Sequence, residues 1–220
     1  MFPDWQVLFA PRPLNTRAIR LPVDGLAAPV WFASAAALDL KELTSEMLLA
    51  PAESARAGAF KLGQPRENFT LGRLAGKLAL VAWPDAGQLL GASRPLTPAL
   101  SPDGGEGEEF VRRLRSFEIG NGEQGEPVVR AGDCKSPAPG VSLSHVNGLG
   151  VAVAFAAGER VGLDLELVDA KRAETVRQGV PLSAEEEAWL KFTSLPEATA
   201  LLLLWTARES LGKALGCGLA

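Results

Sequence analysis

The feature that most constrains the fold is a pair of strand-like apolar stretches, residues 148–156 and 160–167, separated by a short Ala-Gly-Glu turn. Small and β-branched residues fill the first stretch, and the second alternates between apolar and other residues. Two short strands joined by a glycine-containing turn are typical of a β-hairpin. The pattern therefore predicts an antiparallel hairpin in the second half of the chain.

The second stretch, VGLDLE, carries two acidic residues, Asp164 and Glu166. In a strand both side chains point to the same side, with Cα atoms about 6.6 Å apart. At an effective dielectric constant of about 20, two such charges repel each other by about 2.5 kcal/mol. Either water on an exposed face or a bound cation relieves this repulsion. Because Mg²⁺ prefers carboxylate oxygens, a magnesium site is the sharper of the two interpretations.

The last apolar segment predicts a long helix that begins at an SLPE capping box at Ser194 and ends at Gly216. Trp205, Glu209 and Lys213 are spaced four residues apart, which puts them on one face of that helix. Glu209 and Lys213 form either a surface salt bridge or part of a phosphate–metal cluster. A separate stripe, with Arg208 among its leucines, is predicted to be buried: Leu201, Leu204, Leu211 and Leu215.

Other segments predict the remaining elements. Residues 45–60 and 67–83 have helical spacing, with a break at Pro51 and a cap at Asn68 or Thr70. A capping box at Ser183 opens a further helix through Trp189. Residues 110–119 and 126–131 are predicted strands around a GNGEQG turn, and residues 84–108 and 134–140 are predicted loops.

His145, the single histidine of the chain, lies in the stretch VSLSHVNG. It is either a loop histidine without a function or, with Ser144, a contact for a phosphate group. A Ser-His hydrolase is disfavoured because the chain has no GxSxG motif.

Composition excludes several classes of function. The net charge of −4 and the absence of a Lys/Arg-rich block argue against nucleic-acid binding. Cys134 and Cys217 have no nearby Cys or His companion, which argues against a zinc site or a disulfide framework. The N-terminal residues do not form a signal peptide, and the longest apolar run is too short to cross a bilayer. We expect a reduced, cytoplasmic protein with no membrane partner.

Taken together, SLSHVNG, VGLDLE and WTARESLGKALG resemble the 4′-phosphopantetheinyl transferase family, specifically its longer, two-lobed, surfactin-synthetase-activator type. That family has a Ser-His motif, a G-x-D-x-E strand and a W-x-x-K-E-x-x-x-K helix, in this order. Upstream, PAESARAGAF and FTLGRLAGKLAL resemble its N-terminal half. The resemblance runs from about residue 45 to the end of the sequence.

The resemblance implies an α+β fold with two similar lobes related by a pseudo-twofold axis. Each lobe has a small antiparallel or mixed sheet packed with a long helix, and coenzyme A binds between the lobes. Residues 1–133 would form the N-terminal lobe, with a loop insertion near 101–109. Residues 134–220 would form the C-terminal lobe with the metal site, without the last strands that relatives have.

The resemblance also implies the reaction. Phosphopantetheine moves from coenzyme A to a serine of an apo acyl, polyketide or peptidyl carrier protein, with Mg²⁺ as cofactor and 3′,5′-ADP as the other product. Such carriers serve fatty-acid, polyketide or nonribosomal-peptide synthesis. The implied metal ligands are Asp164, Glu166 and Glu209, and the implied catalytic residues are Glu209, Lys213 and His145. The implied coenzyme contacts are Arg56, Thr70, Ser144, His145 and Lys213.

Two residues depart from the family pattern. Arg208 stands where the family motif has lysine, and Glu126 stands where relatives carry lysine in a G-K-P motif, for which Lys135 is a possible substitute. Two alternatives to an active enzyme stay open. One is a truncated, inactive module that binds coenzyme A or a carrier, and the other is a plain α+β domain with solvated acids. Because the two-lobed type contains its own pseudo-dimer, we expect a monomer.

Overall fold

The computed structural model describes residues 18–42, 45–61, 63–84, 105–131 and 137–217. In chain order its elements are β1 (Ile19–Leu21), β2 (Val30–Ala36), α1 (Asp39–Glu42), α2 (Ser45–Leu48), α3 (Pro51–Gly58), α4 (Gly63–Val81), α5 (Gly105–Ser116), β3 (Phe117–Asn121), β4 (Pro127–Ala131), β5 (Gly140–Val146), β6 (Leu149–Phe155), α6 (Ala170–Gly179), α7 (Ala184–Phe192) and α8 (Glu197–Leu215). The predicted α+β class is confirmed, and the strands pair antiparallel.

The larger sheet has four strands in the order β1-β2-β6-β5. The turn between β5 and β6 contains Asn147 and Gly148, with φ values of 39° and 78°. Asn-Gly in this left-handed conformation is typical of a tight hairpin turn. Strand β6 also pairs with β2, so the sheet takes strands from both sides of the lobe boundary predicted near residue 133. The two-lobed division itself stays a prediction.

The smaller sheet pairs β3 with β4 around the predicted turn, where Gly125 has a φ of 87°. The strand predicted for residues 126–131 is therefore confirmed, but the strand predicted for 110–119 is wrong over most of its length. Residues up to Ser116 belong to α5, which also replaces the end of the loop predicted for residues 84–108. Glu109 pairs with Arg112 and Arg113, three and four residues on, and this spacing stabilises a helix.

Helix α4 lies against one face of the larger sheet and is buried on all sides from Phe69 to Val81. The helix predicted for residues 67–83 is thus confirmed, but it begins at Gly63, so neither Asn68 nor Thr70 caps it. The helix packs closely on β6 because Gly150 has no side chain; a Cβ atom there would overlap the backbone of Leu71.

A charged pair lies in this core. Lys77 is fully buried, and its Nζ donates to Glu53 Oε2 at 2.6 Å and to the carbonyl oxygen of Leu48 at 2.9 Å. Glu53 also accepts the backbone N–H groups of Ala50 and Ile119, which ties α3 to strand β3. Burial lowers the pKa of Lys77, and the negative charge of Glu53 opposes that shift.

The hairpin predicted for 148–156 and 160–167 is wrong, because residues 160–169 form no strand. Both edges of β6 are already occupied, by β2 and by β5. The segment instead crosses the second face of the sheet, where Leu163 and Leu165 pack on a cluster that includes Val151 and Val153. The strand predicted for 148–156 is confirmed as β6.

The three C-terminal helices pack on one another beside this segment. The capping box between Ser183 and Glu186 is confirmed, with each side chain accepting the other's backbone N–H. The capping box at Ser194 is wrong, since α8 begins at Glu197 without a side-chain cap. The predicted end is confirmed, because Gly216 adopts a left-handed conformation with a φ of 70°.

The predicted leucine stripe of α8 is only partly buried. Leu201 and Leu202 pack against α6, through Ala173 and Val176. Leu211 and Leu215 are exposed by 59% and 52%, so the stripe prediction is wrong for the second half of the helix. There Gly212 is the buried residue, and the helix contacts the 160–167 segment through Ser210 and Ala214, which lie against Gly162.

Several predictions lie outside the described residues: most of the loop before α5, residues 132–136 with Cys134 and Lys135, and the N-terminal 17 residues. Cys217 is exposed, with a free thiol. No helix in the described ranges is both long and apolar enough to cross a membrane.

Candidate functional site

A cavity of about 510 Å³ lies where α3, α4, β5, the 160–167 segment, α6 and α8 meet. Its lining includes seven of the eight residues that the sequence predicted for a site: Arg56, Ser144, His145, Asp164, Glu166, Glu209 and Lys213. The eighth, Thr70, is buried outside the lining, and its hydroxyl donates to the carbonyl oxygen of Arg66. Stretches that are far apart in the sequence thus meet at one place.

Asp164 lies at the junction of three of these stretches. Its Oδ1 accepts a hydrogen bond from Ser144 Oγ at 3.0 Å and lies 2.7 Å from Lys213 Nζ. Lys213 also donates to the carbonyl oxygens of Leu163 and Leu143, at 2.9 and 3.3 Å. The ammonium group therefore joins β5, the 160–167 segment and α8 beside one carboxylate.

Ser144 and Ser142 hold the segment on the sheet. The Oγ atoms of these serines accept the backbone N–H groups of Leu165 and Leu163, at 3.1 and 3.0 Å. Each hydroxyl replaces a main-chain carbonyl as the acceptor, which is why the segment lies over the face of β5 without becoming a fifth strand. These hydrogen bonds fix the backbone on both sides of Asp164.

Helix α8 packs closely on this segment at Gly162. A Cβ atom on Gly162 would overlap the carbonyl oxygen of Ser210 and crowd the amide nitrogen of Ala214. Only glycine allows this contact, and it brings Glu209 and Lys213 to the cavity that Asp164 and Glu166 line. The glycine of the VGLDLE stretch therefore has a packing role that its spacing alone did not reveal.

Glu166 has its own cationic partner, Arg172, which the sequence analysis missed. Arg172 Nε lies 2.8 Å from Glu166 Oε2, and its guanidinium lies 5.5 Å from the ring centre of Trp205. Asp169 caps α6 by accepting the backbone N–H of Arg172 at 2.8 Å. The Asp at the start of that helix was a visible capping signal, but the sequence did not show which way Arg172 would face.

His145 lines the same cavity from the end of β5. The residue is exposed overall, but partial burial in the cavity lowers the pKa of its imidazole. The nearby cations Lys213 and Arg73 lower it further, and a backbone hydrogen bond and Asp164 oppose the shift. A neutral imidazole at neutral pH retains one donor and one acceptor nitrogen. It serves as a hydrogen-bonding group here rather than as a fixed cation.

Arg73 is the second cavity residue that the sequence analysis did not assign to the site. It is only 8% exposed, and one of its guanidinium nitrogens donates to Asn121 at 3.1 Å. Its Nε is buried without a hydrogen-bond partner and lies 4.0 Å from Glu53 Oε1. Arg73 and Arg56 both lie over the ring of Phe69, at 4.7 and 5.9 Å from its centre. A second cationic group therefore stands next to Arg56.

The cavity lining carries charges of both signs. Four cations, Arg56, Arg73, Arg172 and Lys213, line it together with the three carboxylates Asp164, Glu166 and Glu209. Arginine and lysine side chains bind phosphate groups, and carboxylates bind divalent cations. A ligand with several phosphate groups, accompanied by a metal ion, matches this distribution.

The donor set for a metal is chemically suitable, because Asp164, Glu166 and Glu209 supply hard oxygen ligands to one cavity. In the described part of the chain, no three acidic, histidine or cysteine side chains are close enough together to hold a metal ion. Two of these carboxylates instead contact Lys213 and Arg172. The space beside Asp164 and Glu166 therefore favours positive charge. For a metal ion to bind there, Lys213 and Arg172 must first release these carboxylates.

The two residues that depart from the expected pattern lie outside the cavity lining. Arg208 pairs with Glu186 and donates to the carbonyl oxygen of Pro181, so it joins α8 to α7. Glu126 accepts the backbone N–H of Gln124 at 2.9 Å and lines an adjoining cavity of about 600 Å³, which shares Lys213 with the first. Neither side chain adds charge to the first cavity by direct contact.

Residues 160–220 match the family model of the 4′-phosphopantetheinyl transferase superfamily. The match supports a transferase and covers Asp164, Glu166, Glu209 and Lys213, whereas Arg56, Thr70, Ser144 and His145 lie before it. No curated protein sequence matches the chain.

Proposed function

We propose that this protein transfers the 4′-phosphopantetheine group of coenzyme A to a serine of an apo carrier protein, with Mg²⁺ as cofactor, and releases 3′,5′-ADP. The observation that carries the proposal is the single cavity in which both the family-matched residues and the upstream residues of the predicted site meet. The cavity has cations for the phosphates and carboxylates for a metal ion, as this reaction requires.

The phosphate groups of the coenzyme bind cations that line the cavity. Arg56 and Arg73 are held over Phe69 and both line the cavity, where their guanidinium groups supply positive charge for the phosphates. His145 binds a further phosphate oxygen. The hydroxyl of Ser144 has one donor hydrogen, which Asp164 accepts, so Ser144 contacts a phosphate only after that hydrogen bond is released. Placement of the coenzyme depends on these side chains, because phosphoryl transfer is governed by positioning and charge neutralisation.

The metal ion would be held by Asp164, Glu166 and Glu209. When bound, Mg²⁺ supplies charge neutralisation at the pyrophosphate of the coenzyme. The residues of the chain that make room for it are Lys213 and Arg172, which now contact two of the three carboxylates. Once Lys213 leaves Asp164, its ammonium group is free to neutralise the departing phosphate.

Glu209 acts as the base. Its carboxylate accepts the proton of the carrier serine, directly or through water, as the serine oxygen forms a bond to the phosphorus that carries the pantetheine arm. The bond from that phosphorus to the oxygen of the 3′,5′-ADP portion breaks, and the leaving oxygen retains the electron pair. Lys213, one helical turn from Glu209, stabilises the negative charge that develops there.

The intact mass of an apo carrier protein, measured after incubation with this protein, coenzyme A and Mg²⁺, tests the proposal. A gain of one phosphopantetheine that EDTA abolishes would support both the transfer and the metal requirement. An unchanged carrier mass, across acyl and peptidyl carriers, would contradict the proposal.

A second candidate function is a module that binds coenzyme A or a carrier without chemistry. It is favoured by the contacts of Asp164 and Glu166 with Lys213 and Arg172, which leave two of the proposed ligands occupied by the chain's own cations. Calorimetric binding of coenzyme A without any change in carrier mass would establish this alternative.

A further inference from the structure

We infer that Arg172 is a positioning residue that competes with the divalent cation for Glu166 and thereby sets how tightly the site binds metal. The inference rests on the proposed function, since it takes Glu166 as a metal ligand.

The contact is direct. Arg172 Nε lies 2.8 Å from Glu166 Oε2, and the Glu166 side chain is 16% exposed. A carboxylate so poorly hydrated needs a positive partner, which is either the guanidinium or a metal ion. An ion that binds Glu166 through this oxygen takes the place of the guanidinium, which must then move.

In the same position Arg172 also has an aromatic partner. Its guanidinium lies 5.5 Å from the ring centre of Trp205, which also lines the cavity. A cation over an aromatic face keeps a favourable partner when its carboxylate is lost. The backbone of Arg172 is fixed by the Asp169 cap, so only the side chain needs to move.

Arg172 thus contacts Glu166 and Trp205 at the same time. In this arrangement the guanidinium neutralises Glu166, and no three carboxylates of the described residues are grouped tightly enough for a metal ion. When an ion takes Glu166, the guanidinium loses that contact and keeps the aromatic one. Metal binding and release of Arg172 are therefore coupled.

The test is a titration of the purified protein with Mn²⁺, read by electron paramagnetic resonance without coenzyme or carrier. We expect Arg172→Gln to bind Mn²⁺ about fivefold more tightly than the unaltered protein, the change that corresponds to loss of a competing ion pair. The matched control is Arg177→Gln, which removes an arginine on the same helix whose partner is Glu187 at the surface. This control is expected to leave the affinity unchanged.

Arg172→Lys tests the same point if the glutamine variant is poorly folded. It keeps the charge but loses the planar guanidinium, and its Mn²⁺ affinity should lie between those of the other two proteins. Equal or weaker Mn²⁺ binding by folded Arg172→Gln would overturn the inference and leave the proposed transfer standing. Absence of Mn²⁺ binding in all the proteins would overturn it together with the metal assignment.

Discussion

Gly162 packs so closely on Ser210 that a single added carbon atom would overlap the carbonyl oxygen of that residue. The contact joins the segment that carries Asp164 to the helix that carries Glu209. It is the structural basis for bringing two separate acidic motifs to one cavity.

We expect Gly162→Ala to displace α8 and to reduce the free energy of unfolding by about 1–3 kcal/mol, the usual effect of forcing atoms into a packed contact. Urea denaturation followed by circular dichroism measures the change. Gly179→Ala is the control, because a Cβ atom there meets nothing within 4 Å. Equal stability of the two variants would show that α8 does not depend on this contact.

The buried pair of Lys77 and Glu53 predicts a large effect of removing the ammonium group. Lys77→Met should lower the free energy of unfolding by about 3 kcal/mol or more, because Glu53 then loses the ammonium that it contacts and keeps its charge in the core with Arg73 Nε at 4.0 Å. Chemical denaturation measures the change, with the exposed Lys191→Met as control. A loss below about 1 kcal/mol would mean that Arg73 and the two backbone N–H groups satisfy the carboxylate without Lys77.

His145 predicts a pH dependence. Because burial lowers the pKa of the folded imidazole, the unfolded chain binds a proton more readily between the ordinary pKa of about 6.5 and the lower folded value. This group therefore makes the protein less stable as the pH falls through that window, and its contribution is constant below the folded pKa.

The single histidine allows a direct measurement. An NMR titration of its ring protons should give a midpoint below that of the same residue in urea-unfolded protein. His145→Gln should lose less stability than the unaltered protein as the pH falls from 7 through that window. A midpoint equal to the unfolded value would contradict the lowered pKa.

The proposed metal ligands predict a loss of transfer without a loss of fold. We expect Asp164→Asn and Glu209→Gln each to lower the rate of carrier modification by roughly 100-fold or more, since each removes a charge at the reacting phosphate. Mass spectrometry of the carrier gives the rate, and thermal unfolding checks the fold. Glu174→Gln, on the exposed face of α6, is the matched control. Full activity of either site variant would refute its assigned role.

Local patterns predicted some of the helices, among them α4, α7 and most of α8, but α5 was predicted as a loop and a strand, and α6 was not predicted. The leucine spacing of α4 and the Ser183 capping box depend on neighbouring residues, and both are present in the structure. The residues predicted for the site could also be named from the sequence, because their types and order carry the family resemblance, and seven of the eight line one cavity.

The pairing of the strands was not predictable in the same way. The VGLDLE stretch has the alternation of a strand, but it cannot pair with β6. One edge of β6 is occupied by β2, which is distant in the sequence, and the other edge by β5. The Asn-Gly pair at residues 147–148 was the better hairpin signal, and it marks the turn that forms. Arg172 and Arg73 were missed because their roles arise from tertiary contacts with Glu166, Trp205 and Phe69.

The strand order also bears on how the protein is made. Strand β2 forms its long ladder with β6, which follows about a hundred residues later in the chain. During synthesis the apolar residues of β2 therefore emerge from the ribosome well before their partner, and α4 is the nearest surface that can shield one face of them. Such a delay exposes an unpaired strand edge to other nascent chains. We expect the yield of native protein to depend on chaperones that bind extended apolar segments.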